Sequence, residues 1–219
     1  LMERYLEGEE ISHDETVAAL KKGVTEGHLF PVTCGIATRD LGIERLLQAL
    51  IEDLPSPAMR GARTLLDGED AEVGTEPDED GALIAHVFKT TADPFTGRLN
   101  ALRVLSGTLR SDSHVHNERT GAKERIGQLG EAMGKELRPV EDLGAGDIGV
   151  VAKLKETLTG ASLSVKEKPY RFPAVAVPEP AISFSIEPKS KGDEDKISIA
   201  LSKLTEEDRV AILGRVTGT

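Results

Sequence analysis

A chain of 219 residues, 38% hydrophobic and 30% charged, is long enough for one large core or two modest ones and has the composition of a soluble globular protein. No apolar run approaches the roughly 20 residues that cross a bilayer, the opening LMERYLEGEE lacks the basic-then-apolar pattern of a secretory leader, and a lone cysteine, Cys34, excludes an internal disulfide. These features speak against membrane-spanning and disulfide-stapled classes, show no secretory leader, and make a reducing, cytoplasmic compartment the expectation. The formal charge of −11 argues against a polyanion partner until its distribution is read: eight acids and no base fall within Asp67–Asp80, whereas Arg98 to Arg138 holds eight Lys/Arg against five Asp/Glu. Any polyanion contact belongs to that basic stretch.

In chain order, the first pattern is helical: Ser12 or Asp14 caps a run through Val17, Ala18 and Leu20, and Gly23 reads as its stop. LFPVTCG, Leu29 to Gly35, reads as a short apolar strand, and Ile43, Leu46, Leu47, Leu50 and Ile51 share one face of a helix ended by Pro55 and Pro57. Residues 1–57 are thus expected to form an α/β unit. Residues 58–80 lose periodicity and fill with Gly and acid, the composition of a linker or mobile surface loop. Residues 81–170 present short strands at about ten-residue spacing: ALIAHVFKT, GRLNALRVLSG, SHVHNERTG, ERIGQLGEAMG and GDIGVVAKL. That spacing suits a barrel or a sandwich, because closure removes exposed edges. In residues 171–219 a proline-bearing connector (its KEKPYRFPAVAVPEP begins just before the boundary) leads to AISFSIEPK, alternating like a strand, and to GDEDKISIALSKLTEED, a helix carrying Ile197, Leu201 and Leu204.

Chemistry is sparse. No G-x-x-x-x-G-K-[ST] occurs, so nothing supplies the nest of N–H groups, the Lys and the hydroxyl that hold a triphosphate and its magnesium. Cys34 paired with a histidine would make a nucleophile and base, but it ends an apolar run, reads as a small buried hydrophobe, and nothing marks His28 as its partner. His114 and His116, two apart, lie on one strand face; without further ligands at metal spacing, they read as a solvated face. Asp193, Glu194 and Asp195 are accounted for by a helix N-terminus. The cations Arg98, Arg103, Arg110, Arg119, Lys123 and Arg125 are spread over several strands. A barrel can gather some of them on one side to neutralise phosphates, the alternative being an ordinary charged surface.

The order of motifs resembles bacterial translation elongation factor G and its elongation-factor-G-like paralogues, over nearly the whole chain. PVTCGIATRDLGIERLLQALIEDLPSP is similar to the end of that family's GTPase domain, FKTTADPFTGRLNALRVLSGTLRSDSHVHN to its β-barrel second domain, and VPEPAISFSIEPKSKGDEDKISIALSKLTEED to the start of its ferredoxin-like third domain. The most specific matches are Asp93-Pro94-Phe95 with Gly97-Arg98, Arg103-Val104 with Ser106-Gly107, and Glu187-Pro188-Lys189. The resemblance implies a mainly β fold: a translation-factor-type barrel at 81–170, preceded by an α/β piece of a GTPase domain and followed by a partial ferredoxin-like α+β piece.

The same resemblance implies a barrel that leans on small-subunit ribosomal RNA and relays a change driven by GTP hydrolysis. GTP and magnesium then belong to a full-length parent GTPase whose phosphate loop, switch regions and Asn-Lys-x-Asp motif precede Leu1, and this chain carries no cofactor or catalytic step of its own. Gly35-Ile36-Ala37 stands where the family usually reads Gly-Ser-Ala against the guanine base, so the residual contact loses a polar side chain and the chain leans towards a paralogue. After LTEED the sequence RVAILGRVTGT departs from the family's pattern. The partner expected is the ribosome, with no membrane and no DNA, and the chain is expected to be monomeric. A different class, a standalone non-enzymatic interaction module descended from the same domains, is the competing reading.

Overall fold

The computed structural model describes residues 2–93, 97–134, 136–165, 169–188 and 190–208. Pro94, Phe95 and Lys189 of the specific motifs, and the divergent segment from Arg209 onward, lie outside the described residues. The chain divides into two compact units, residues 1–61 and 62–219.

In the first unit, helices α2 (His13–Thr25) and α3 (Ile43–Glu52) form where periodicity placed them, and a separate short helix, α1 (Met2–Leu6), precedes them. Ser12 caps α2 in a reciprocal box: its Oγ accepts the Glu15 N–H at 3.3 Å while Glu15 Oε2 accepts the Ser12 N–H at 3.0 Å. Arg4 clamps the other Glu15 oxygen at 2.5 Å; this pairing, followed by the Ser12 bonds, holds the carboxyl down from 4.5 to about 2. The helix runs past Gly23, where a Cβ would lie 2.6 Å from Leu29 Cδ1, and ends before Gly27 at φ +74°. Gly23 therefore serves close packing, and Gly27 performs the expected stop. The strand expected over Leu29–Gly35 does not form: Phe30 and Val32 are exposed, and no strand of the unit's described residues lies alongside to receive their backbone bonds. Cys34 is likewise exposed rather than buried.

The second unit is mainly β. A hairpin of β1 (Arg63–Leu66) and β2 (Glu72–Thr75) occupies the stretch read as a linker. The acids that suggested mobility make its turn: Asp67 Oδ1 accepts the N–H groups of Glu69 and Ala71, both at 2.9 Å. Leu65 is fully buried, and Leu66 exchanges two backbone hydrogen bonds of 2.8 Å with Arg171. The rest of the acidic stretch is also docked, the Asp78 carbonyl accepting the Gly107 N–H at 2.7 Å.

Strands β3 (Ile84–Asp93), β4 (Gly97–Ser106), β5 (Leu109–Arg110), β6 (His114–Asn117), β7 (Lys123–Arg125), β8 (Leu129–Met133), β9 (Glu136–Val140), β10 (Asp142–Leu143), β11 (Ile148–Ala152) and β12 (Ser162–Ser164) follow, every pairing antiparallel. The main sheet runs β7-β6-β12-β3-β4-β11-β8-β9, and β5 pairs with β10. It curls into a half-barrel whose inward side chains, among them Val87, Leu102, Val104, Val115, Leu129 and Leu163, form one core. Each contributes about 1.5–3 kcal/mol of burial. The ladder alternates as the sequence does: Asn100, Leu102, Val104 and Ser106 of β4 point inward while Ala101, Arg103 and Leu105 do not. Gly107, at φ +70° with Leu83 backbone 2.6 Å from where a Cβ would sit, turns the chain after β4.

Helix α4 (Glu194–Glu207) matches the expected run and packs against β3. The alternating AISFSIEPK does not become a strand; Ile182, Phe184 and Ile186 stay exposed because no neighbouring strand is present among the described residues. None of the described helices is long and apolar enough to cross a membrane.

Candidate nucleic-acid interface

Three of the six candidate cations come together on one hairpin. In the β6–β7 register His114 lies opposite Arg125 and His116 opposite Lys123, while the intervening pair, Val115 and Glu124, points into the core. Alternation therefore sends both basic pairs to the outward face. Lys123 and Arg125 are exposed, and Arg119 is exposed in the connecting turn. That turn is fixed by Asn117, whose Oδ1 accepts the N–H groups of Arg119 at 3.0 Å and Thr120 at 3.3 Å. The single ion pair of this face among the described residues, Arg125 to Asp112 at 2.9 Å, is exposed on both sides, and such pairs contribute at most about 1 kcal/mol.

Beneath this face lies a buried polar peg that sequence reasoning missed. Glu124, only 4% exposed, accepts the Glu156 N–H at 2.7 Å, the Thr157 hydroxyl at 2.9 Å and the Lys155 N–H at 3.1 Å. Asn117 Nδ2 donates to the Glu156 carbonyl and to Thr157 Oγ1, and Asn100 Nδ2 donates to the Thr157 carbonyl and to Thr90. The network pins the loop between β11 and β12 to the hairpin. A signal was available, because Glu124 occupies the inward slot between two outward cations.

The other three candidates are not gathered with these. Arg98, 20% exposed, pairs with Glu206 of α4 at 2.5 Å and donates to the carbonyls of Leu154 and Lys155 at 3.2 and 2.6 Å, so its donors are directed inside the unit. Arg103, opposite His86 and Ile148 on the outer face, donates to the Gly146 carbonyl at 3.3 Å. Arg110 is exposed on β5, opposite Asp142. Arg119 also borders a cleft of about 780 Å³ beside His86, Phe172 and Arg171. There His86 packs against Phe172 with ring centroids 4.4 Å apart and planes tilted by 41°, burial pushes its pKa down, and its Nδ1 has no hydrogen-bond partner among the described residues.

In the first unit, Gly35-Ile36-Ala37 forms a tight turn. Ile36 and Leu41 exchange backbone hydrogen bonds, and a Cβ on Gly35 or Gly42 would lie 2.8 Å or 2.5 Å from a carbonyl oxygen. Ile36 is 47% exposed, which leaves this turn an apolar side chain and backbone groups to offer a ligand.

The barrel strands and α4 coincide with two matches to known families. Residues 82–166 match elongation factor G domain 2, and residues 177–211 match elongation factor G domain III. The chain belongs to the elongation factor G family. A crystal structure of a protein from Thermus thermophilus is similar over 98% of this chain at 32% identity and a TM-score of 0.78, and the chain spans 30% of that protein's length. The domain 2 match contains the whole hairpin with Arg119, Lys123 and Arg125, and the domain III match contains Glu206, the partner of Arg98.

Proposed function

We propose that this chain is the ribosome-docking and relay part of an elongation-factor-G-like translational GTPase, with no catalytic step among its own residues. The observation that carries the reading is the β6–β7 hairpin, whose register turns Lys123 and Arg125 outward beside Arg119, with His114 and His116 on the same face. Three exposed cations on a rigid two-stranded support suit the phosphates of small-subunit ribosomal RNA, which proteins read largely through shape and backbone. GTP and magnesium do not fit the residues present. The sequence has no phosphate loop, and the Gly35-Ile36-Ala37 turn supplies no side chain for phosphate or metal, so the nucleotide's chemistry belongs to a full-length parent. Polyanion binding here is a surface property of the barrel, made specific by whatever the rest of the parent adds.

Co-sedimentation of the chain with bacterial ribosomes across a salt series tests this. The expected result is pelleting at low salt and release as salt rises, with a variant carrying Arg119→Ala, Lys123→Ala and Arg125→Ala remaining in solution. Each lost phosphate contact should lower the salt slope by about one. Equal pelleting of the two proteins would refute the assignment of this hairpin.

A further inference from the structure

The hairpin does not stand alone. A continuous set of polar contacts leads from the third-domain helix to it: Glu206 of α4 pairs with Arg98 at 2.5 Å, Arg98 donates to the Leu154 and Lys155 carbonyls, and the next amides along, Lys155 and Glu156, donate to Glu124 on β7. A second tie joins the same helix to the barrel, Glu207 accepting the Ala92 N–H. Loop 154–157 is thus held from both sides, its carbonyls by an arginine whose charge α4 neutralises, its amides by a carboxylate placed between Lys123 and Arg125.

We infer that the docking of α4 on the barrel and the phosphate-facing geometry of the β6–β7 hairpin are thermodynamically coupled through Arg98, loop 154–157 and Glu124. The coupling rests on the RNA-facing role given above to the hairpin. Arg98 and Glu206 are positioning residues, both acting on the hairpin through the loop. Reciprocity follows: whatever seats α4 on the barrel tightens the grip of the hairpin on RNA, and RNA bound at the hairpin seats α4. In a two-domain relay, this converts a movement of the third domain into a change of affinity on the second domain's surface.

Glu206→Gln separates this coupling from plain electrostatics, because the two predict opposite signs. Removing an acid alone makes the protein less negative and strengthens binding to RNA, whereas loss of the Arg98 partner loosens the loop and weakens it. The control is Asp195→Asn, the same charge change at the far end of α4 on an exposed residue. Two readouts are needed on the full chain: amide hydrogen exchange at Lys155 and Glu156, and anisotropy with a fluorescent RNA stem-loop of about 20 nucleotides. Coupling predicts exchange at both amides about fivefold or more faster in Glu206→Gln, and RNA binding about fivefold weaker, with Asp195→Asn showing neither. Unchanged exchange, or RNA binding that tightens as in the control, overturns the coupling. If instead wild type and the Lys123→Ala, Arg125→Ala protein bind the stem-loop alike, the functional reading of the hairpin fails, and the coupling to RNA fails with it even where exchange responds.

Discussion

Replacing Glu124 with alanine probes the buried support of the hairpin most directly. The carboxylate is 4% exposed and accepts three hydrogen bonds of 2.7 to 3.1 Å from Glu156, Thr157 and Lys155. Bonds to an ionised acceptor contribute about 1.5–3 kcal/mol each. The three share one group and do not add, and Lys155 and Glu156 sit where water can reach their amides once the carboxylate is gone. The expected cost is therefore about 3 kcal/mol, the low end of what breaking a buried charged contact costs. Glu124→Gln keeps one acceptor oxygen but turns an NH2 towards an amide donor, and should lose about 2 kcal/mol. Urea unfolding followed by the methyl resonances of Leu102 and Val104, both fully buried in the barrel, isolates the barrel's transition from that of the first unit. With the slope unchanged, the alanine midpoint should fall by about 1–2 M, the glutamine midpoint by less. A loss below about 1 kcal/mol for alanine would mean that the loop is held by its own packing and that the peg contributes little.

Three further outcomes follow from the geometry. His86 is half-buried with a lowered pKa, so the unfolded chain takes up its proton first; stability should fall as pH drops below about 6.5, and His86→Phe, which keeps the ring contact with Phe172, should flatten the pH dependence of the urea midpoint between pH 7 and 5. Glu15 is held at about 2 against 4.5, so its contribution to α2 should be complete above pH 4.5 and vanish as pH falls through 2; an NMR titration of its carboxyl near 4.5 would contradict the Arg4 and Ser12 clamp. Gly107→Ala places a Cβ 2.6 Å from Leu83 backbone at φ +70°, and should cost about 2 kcal/mol or more in thermal or urea unfolding; a cost near zero would mean the turn relaxes freely.

The barrel was legible because its strands carry their own proof. Alternation in GRLNALRVLSG fixes which residues of β4 face the core, and β3, β11 and the other strands needed to complete the sheet lie within the same stretch of chain. The same alternation in AISFSIEPK and the apolar LFPVTCG gave no strand, because a strand's backbone groups need partners that these segments do not find among the described residues. Asp67–Asp80 misled in the opposite direction. Its charge density suggested disorder, yet Asp67 makes the turn of the β1–β2 hairpin and the Asp78 carbonyl fixes the segment after it to Gly107, a use of carboxylates and carbonyls that composition alone does not register.

The candidate site divides for a different reason. All six cations are equivalent in sequence, but what each can do depends on cross-strand register and on what packs above it. Arg125 and Lys123 face outward because Glu124 between them takes the inward slot; Arg98 is held inside the unit because Glu206, more than a hundred residues later, arrives to pair with it. A long-range ion pair leaves no periodic trace near Arg98, so counting charge along the chain assigns too many arginines to the solvent. The consequence for function is that triple substitution of Arg98, Arg103 and Arg110 is a poor test of RNA contact: it removes one cation tied to α4 and another tied to the Gly146 carbonyl. Loss of ribosome binding in that variant would report loosened packing as readily as a missing phosphate contact, whereas Arg119, Lys123 and Arg125 can be removed with little cost to the fold.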